Sequence, residues 1–395
     1  MSRTLRLAPR PRPPLRRLSA LLSGLLAVSF VTAACSSSPS GDTGPPAYSV
    51  SDEVTARVLP QLASVGEDTE AADDAEWVVE ARIDDVDAGT PVELLARDGT
   101  DAWESVAETE TDDSGEVALT TDATGTMRVV VGDGDDAVGA EVSTEDAPEA
   151  TFTDDFDKNS VDVEDGSWFT RDQGYVGVRT CSKADASAAK VLDGVLRLSV
   201  FDDPDRGADC RLKGKRKQFD YRLNGHVGTE GVQSFTYGFA AARVKAQAAR
   251  GQHAAFWMQA EGGQTEGGPE VGGAEIDVME YFGDDHPEGG LTSFTYWLDE
   301  AGKQKTDGGW VRDLDQYGED WATQFHVFSV EWTPEEYVFR IDGQVTHRLE
   351  GPTSGRPEFL ILSLLSSDYE LARFNGELPE HMNVDWARVW ETGPS

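Results

Sequence analysis

The sequence predicts an all-β protein built from two sandwiches, and three observations carry that expectation. Hydrophobic residues make up 38% of the 395, 40 glycines and 18 prolines punctuate the chain, and apolar residues recur in short alternating runs without a long helical period. Such a length exceeds one modest core, which favours two domains plus some unstructured sequence.

Residues 1–34 read as a targeting signal. Arg3, Arg6, Arg10, Arg12, Arg16 and Arg17 precede an apolar run over 18–31, which is too short to span a membrane comfortably. The run ends in Thr32-Ala33-Ala34-Cys35, which resembles a bacterial lipoprotein box with Cys35 as the lipidated residue. The expectation is an exported protein held by lipid at the outer face of the cell membrane. Ordinary cleavage near Ala34 would instead give a secreted one. Residues 35–49 are rich in Ser, Pro and Gly and form a tether.

Over 50–146, seven short alternating segments (54–59, 77–83, 91–97, 102–108, 116–120, 127–131 and 138–142) are separated by acidic, glycine-containing turns. Their number and spacing predict a small immunoglobulin-like sandwich. A spacer role is favoured over sugar binding, because no exposed aromatic pattern stands out. A larger unit, richer in Trp, Phe and Gly, fills 150–392. Its strand-like runs at 195–201, 236–244, 254–259, 275–281, 291–297, 325–332, 337–341, 359–365 and 382–390 predict a curved two-sheet jelly roll with a concave face for an extended ligand.

The net charge of -39 argues against a nucleic-acid partner and suits a neutral polymer. With Cys35 assigned to lipid, Cys181 and Cys210 are left to form a disulfide in an oxidising compartment; a metal pair would lack His or Cys partners at ligand spacing.

The segment that carries chemistry is Gly273-Ala274-Glu275-Ile276-Asp277-Val278-Met279-Glu280-Tyr281-Phe282-Gly283. In a regular strand Glu275 and Asp277 share a face, whereas Glu280 points away. A β-bulge at Val278-Met279 would return Glu280 to that face. The glutamate backbones would then stand roughly 13 Å apart, at about 3.3 Å per step, and inward-leaning side chains would approach the roughly 5 to 5.5 Å of a retaining glycosidase rather than an inverting pair. A solvated polar face, or a calcium or magnesium site, is the alternative use of the same acids.

This segment resembles the bulged Glu-x-Asp-x-x-Glu strand of glycoside hydrolase family 16, in its laminarinase-like branch. Supporting segments in the same order include Phe152-Thr153-Asp154-Asp155-Phe156-Asp157, Ala255-Phe256-Trp257-Met258, Phe328-Ser329-Val330-Glu331-Trp332 and Val384-Asp385-Trp386-Ala387-Arg388-Val389-Trp390. The resemblance implies a concanavalin-like jelly roll and a retaining endo-glycosidase of β-linked polysaccharide, with β-1,3-glucan or mixed-linkage glucan as substrate. It implies Glu275 as nucleophile, Glu280 as general acid/base and Asp277 as assisting acid. Trp257 is similar to an aromatic platform of the groove, Trp297 is a second cleft candidate, and His326 is read as structural. Asp385 resembles a position that contributes to a calcium site in some members; no cofactor is required for the catalysis implied, and a monomer is expected. The strand over 291–297 lacks a His often found there, and 362–369 departs from an Asn-Leu-Ala-x-Gly-Gly-like run. Both departures bear on the substrate, so β-galactan hydrolysis, transglycosylation and non-catalytic polysaccharide binding stay open.

Overall fold

A computed structural model describes residues 48–393 apart from 65–74, 98, 100–101, 158–165, 172, 319–320 and 373–377. The targeting signal, Cys35 and most of the tether lie outside the described residues. All seven segments expected in the first domain form strands: Val54–Ala63, Glu76–Ile83, Pro91–Ala96, Glu104–Glu110, Glu116–Thr121, Thr126–Val131 and Val138–Ser143, preceded by the short Ser49–Val50. The first, second and fifth make one sheet; the seventh, sixth, third and fourth are neighbours in the other. That is a Greek-key partition of immunoglobulin-like type. Alternation decides what is buried, with Val79, Ala81, Leu94, Leu119, Met127 and Val129 filling the space between the sheets.

The second domain is a larger sandwich. One sheet runs Arg222–Gly228, Glu358–Leu365, His253–Ala260, Glu275–Tyr281, Leu291–Leu298 and Gln304–Val311 in spatial order. The other runs Ala189–Leu192, Val195–Leu198, Met382–Glu391, Gly238–Lys245, His326–Trp332, Glu336–Ile341 and Gln344–Glu350. Between them lie Val227, Phe256, Met258, Ile276, Leu360 and Leu362 from the first sheet against Ala240, Ala242, Phe328, Val330, Val384 and Val389 from the second. The run expected over 195–201 is divided: Val195–Leu198 pairs with Met382–Glu391, whereas Val200–Asp202 pairs with Arg222–Gly228 in the opposite sheet. The chain changes sheet at Ser199.

Four of these strands lie outside the expected runs, Ala189–Leu192 among them. Arg222–Gly228 is wholly buried, yet its residues include Arg, Asn, His and Gly and so do not read as an apolar run. Gln304–Val311 and Gln344–Glu350 are at sheet edges, where one-sided exposure permits polar composition.

Gly238–Lys245 reads as nearly continuous apolar sequence because both its faces are covered. Ala240, Ala242 and Val244 enter the large core. Phe239 and Ala241 face the other way and pack, with Val327, Trp386 and Trp390, against Leu59, Leu62 and Val78 of the small sandwich. Beside this joint core the buried Arg340 donates to Glu331 (2.9 Å) and to Glu80 (2.8 Å), and Arg57 bonds the same two carboxylates. A guanidinium with no solvent access depends on those partners.

Glu331→Ala would leave two arginines sharing Glu80. The expected cost is about 3 kcal/mol, read as a lower denaturant midpoint, with both sandwiches unfolding in one calorimetric transition.

Candidate active site

The acidic strand begins under tight steric control. Gly273 has φ +79°, and a Cβ there would stand 2.4 Å from the Cβ of Ala260, so only glycine fits. The next amide, that of Ala274, donates to Glu358 Oε1 at 3.1 Å. Glu358 also accepts from the Ser354 hydroxyl. Burial pushes the Glu358 carboxyl up to about 8.

The bulge lies where the sequence places it. Along one edge Asp277 pairs with Trp257 and Met279 with Phe256, leaving Val278 without an opposite residue. Along the other, Asp277 pairs with Phe294 and Glu280 with Thr292. The Ser293 hydroxyl donates to the Val278 carbonyl at 2.8 Å, tying down the extra residue. Val278 and Met279, although consecutive, are both in the core. The phase of the strand thereby shifts by one, and Glu275, Asp277 and Glu280 all face the concave side.

Their surroundings follow from register. Glu275, Asp277 and Glu280 line one cavity of about 70 Å³ with Arg179, His253, Ala255, Trp257, Ser363 and Leu365. Gln259 Nε2 donates to Glu275 Oε2 (3.2 Å), and Arg171 Nη2 donates to Gln259 Oε1 (3.0 Å). The Thr292 hydroxyl donates to Glu280 Oε2 at 3.4 Å. His253 Nδ1 meets Glu370 Oε2 at 3.0 Å, and its ring stacks on Phe282. A neighbouring cavity of about 590 Å³ extends the groove, lined by Arg250, Phe282, His286, Trp310, Tyr369 and Glu370.

Crowding of carboxyl groups away from water raises their proton affinity. Asp277 is held well above the usual range by burial first and then by Glu280 and Glu275. Glu275 is raised by burial and by Glu280, against the pull of Arg171 and Arg179. Burial also raises Glu280, while His253 and the Thr292 hydroxyl oppose it. His253 itself rises: burial works against its charge, but Glu370 outweighs that effect.

Trp257 does line the cavity. Its indole is stacked against His226, with ring centroids 6.0 Å apart, and Arg171 lies 5.5 Å from it, so its faces are partly occupied. Trp297 is a correction. Tyr296 is the residue paired with Glu275, and alternation turns Trp297 to the opposite face. Burial, followed by the charges of Asp277 and Glu280, pushes the Tyr296 phenol up to about 12. Asp385 is a second correction, since its buried carboxylate receives the Arg243 guanidinium, which occupies it as a calcium ion would. Among the described residues no cluster of three or more His, Cys, Asp or Glu is arranged for a metal. His326 bonds Asp342 and the Trp321 carbonyl and is structural. Cys181 and Cys210 form a disulfide with a Cα–Cα distance of 5.7 Å.

Sequence reading missed Arg171, Arg179, His253, Gln259, Tyr296 and Ser363. Tyr296 had a recoverable signal in the alternation of the strand after the bulge, and His253 and Gln259 one in the alternation that carries Trp257. Arg171, Arg179 and Ser363 come from other elements, and nothing local marks them.

Comparison with known proteins bears on the whole arrangement. Residues 204–388 match the family model "Glycosyl hydrolases family 16". The matched segment contains all three acids. The chain is 26% identical over 234 residues to an endo-1,3-1,4-beta-glycanase of Rhizobium meliloti, covering 54% of this chain but 45% of that protein. It is 27% identical over 222 residues to a beta-glucanase of Rhodothermus marinus, covering 53% and 68% respectively. Similar solved structures include the laminarinase of Rhodothermus marinus, at 22% identity, 62% and 97% coverage and a TM-score of 0.48. The laminarinase catalytic domain of Thermotoga maritima follows at 21% identity, 62% and 99% coverage and 0.46. The chain thus spans about half the length of the Rhizobium protein.

The Glu358 carboxyl binds its proton more tightly folded than unfolded, so stability declines as pH rises from about 4.5 through about 8. Glu358→Gln is expected to flatten that decline, measured as melting temperature against pH.

Proposed function

We propose that the protein is a retaining endo-glycosidase that hydrolyses β-linked polysaccharide, with β-1,3-glucan or mixed β-1,3/1,4-glucan as substrate. The observation that carries this reading is the bulge-corrected face that brings Glu275, Asp277 and Glu280 to one cavity. The family 16 match and the glucanase names of the relatives support the substrate class.

In this reading Glu275 attacks the anomeric carbon, while Glu280 protonates the departing oxygen and later draws a proton from the incoming water. Gln259 and the two arginines favour an ionised Glu275. Burial and the two glutamates push Asp277 toward its neutral form, which disfavours a third negative charge on the strand. Aromatic side chains in the adjoining cavity suit the C–H faces of sugar rings. The small sandwich is read as a spacer: its Trp103 ring is covered by Arg128 at 3.9 Å and Arg97 at 4.6 Å, leaving no open platform there. A lipid anchor at Cys35 belongs to the same proposal, and Cys35→Ala is expected to move the protein from the membrane fraction to the medium.

Reducing-sugar release from laminarin, lichenan, agarose and carrageenan tests the activity. Wild type is expected to cut laminarin or lichenan into oligosaccharides with retained anomeric configuration by proton NMR, and Glu280→Gln to lower kcat roughly 10²- to 10⁴-fold. Cleavage of agarose or carrageenan alone would replace glucan by galactan as substrate. Release of nothing by wild type would leave a binding protein on the same fold.

The pH profile of kcat/KM supplies a second check. An ionised Glu275 and a protonated Glu280 define a bell, and because both carboxyls are raised, both limbs are expected above the pH of ordinary glutamates.

A further inference from the structure

The loop over 174–181 belongs to no sheet, yet it delivers Arg179 to the cavity that holds the three acids. It is fixed from several sides. Cys181 is bonded to Cys210. The Cys181 amide donates to Asp368 Oδ1 at 3.2 Å, and the Asp368 amide donates to the Val178 carbonyl at 2.8 Å. Arg179 is therefore flanked by two residues clamped to the same aspartate. Immediately afterwards, Ser182–Ala184 pairs in parallel with Arg222–Gly228.

The guanidinium so placed has no matching carboxylate of its own. Its Nε is buried without a hydrogen-bond partner, and no ion pair within 4.0 Å engages it among the described residues. The groups that act on it electrostatically come from three elements: Glu275 and Glu280 on the acidic strand, Tyr369 and Glu370 on the Asp368–Leu371 turn of helix, and His253 on the neighbouring strand. Asp277 shares the cavity, and Arg171 and His226 are like-charged or neutral neighbours. A desolvated cation facing several acids without pairing to one stabilises whichever of them is ionised.

We infer that Arg179 is a positioning residue for the glycosidase reaction, and that the Cys181–Cys210 disulfide serves catalysis by pinning the loop that carries it. The inference rests on the reading of Glu275 as nucleophile. Arg179 favours the negative charge on Glu275 before attack; it also acts on Glu280, but there less than His253 and the Thr292 hydroxyl do. Burial and Glu280 raise the Glu275 carboxyl while Arg171 and Arg179 oppose them; Arg171 is already engaged by Gln259 and by Glu230 at 3.6 Å.

The test compares wild type, Arg179→Met, Arg179→Lys and the double variant Cys181→Ser/Cys210→Ser on laminarin and lichenan across pH. Arg179→Met is expected to lower kcat roughly tenfold to hundredfold, to change KM less, and to move the acidic limb of the profile to higher pH. Arg179→Lys is expected to restore most of kcat and the wild-type limb. The disulfide variant should shift the limb in the same direction, and adding Arg179→Met to it should cost less than in the bridged protein. An unchanged acidic limb in Arg179→Met, or a disulfide variant with the wild-type profile, would overturn the inference. Should the disulfide variant not fold, Arg179→Met alone decides.

A second readout does not need turnover. Carbon-13 NMR titration of glutamate carboxyls, with Glu275 assigned by its absence in Glu275→Gln, should show that carboxyl titrating at higher pH in Arg179→Met than in wild type. No difference would sink the role of Arg179 even in an active enzyme. A clear difference in a protein that cuts none of the sugars would keep the electrostatic role and reject the glycosidase reading instead.

Discussion

The interaction on which the site depends is the hydrogen bond that holds one surplus residue in the Glu275–Tyr281 strand. Side chains in a strand alternate, so two glutamates five positions apart belong on opposite faces. With Val278 accommodated as a bulge and its carbonyl held by Ser293, the phase shifts once and Glu280 rejoins Glu275. Without that shift Glu280 would enter the interior, where Phe256, Ile276 and Leu362 offer no hydrogen bond. The energy of the fold and the geometry of the site therefore meet in one residue: the apolar side chains of Val278 and Met279 supply the burial that favours the bulge, and the carboxylates receive the direction.

Concentrating acids on one buried face has an electrostatic cost, and the structure distributes it. Asp277 is pushed toward its protonated form, Glu275 is approached by Gln259 and by two guanidinium groups, and Glu280 lies near a histidine whose charge is favoured by Glu370. Because the acids differ in their neighbours, they differ in their readiness to ionise, and a reaction needing one charged and one neutral carboxyl gains from that difference. The cations come from segments remote in sequence, which is why the 171–221 region, poor in regular structure, is stapled by a disulfide. A loop closed over 29 residues lowers the entropy of the unfolded chain by an amount equivalent to roughly 3 to 4 kcal/mol.

Much of the molecule was legible in the sequence because its information is periodic. The seven strands of the small sandwich, the bulged acidic strand and the apolar interior strands all have alternation that survives reading one residue at a time. Arg222–Gly228 escaped because its burial is satisfied by hydrogen bonds, as where Asn224 Oδ1 accepts from the Ser366 amide, rather than by apolar composition. Trp297 was misread by one position, since residue type was weighed above register; its neighbour Tyr296 has the phase that reaches Glu275. Asp385 had the right chemistry for a cation and met one supplied by the chain itself. Arg179 had no local signature, and only the closing of a distant loop gives it a place.

The joint between the two sandwiches limits how one can move against the other. Apolar packing and a network of two arginines and two glutamates, with Arg340 at its buried end, fasten the small sandwich to the sheet that does not contain the Glu275–Tyr281 strand. It is thus a pedestal, not an arm. It has no freedom to swing round toward the cavity that holds the three carboxyl groups.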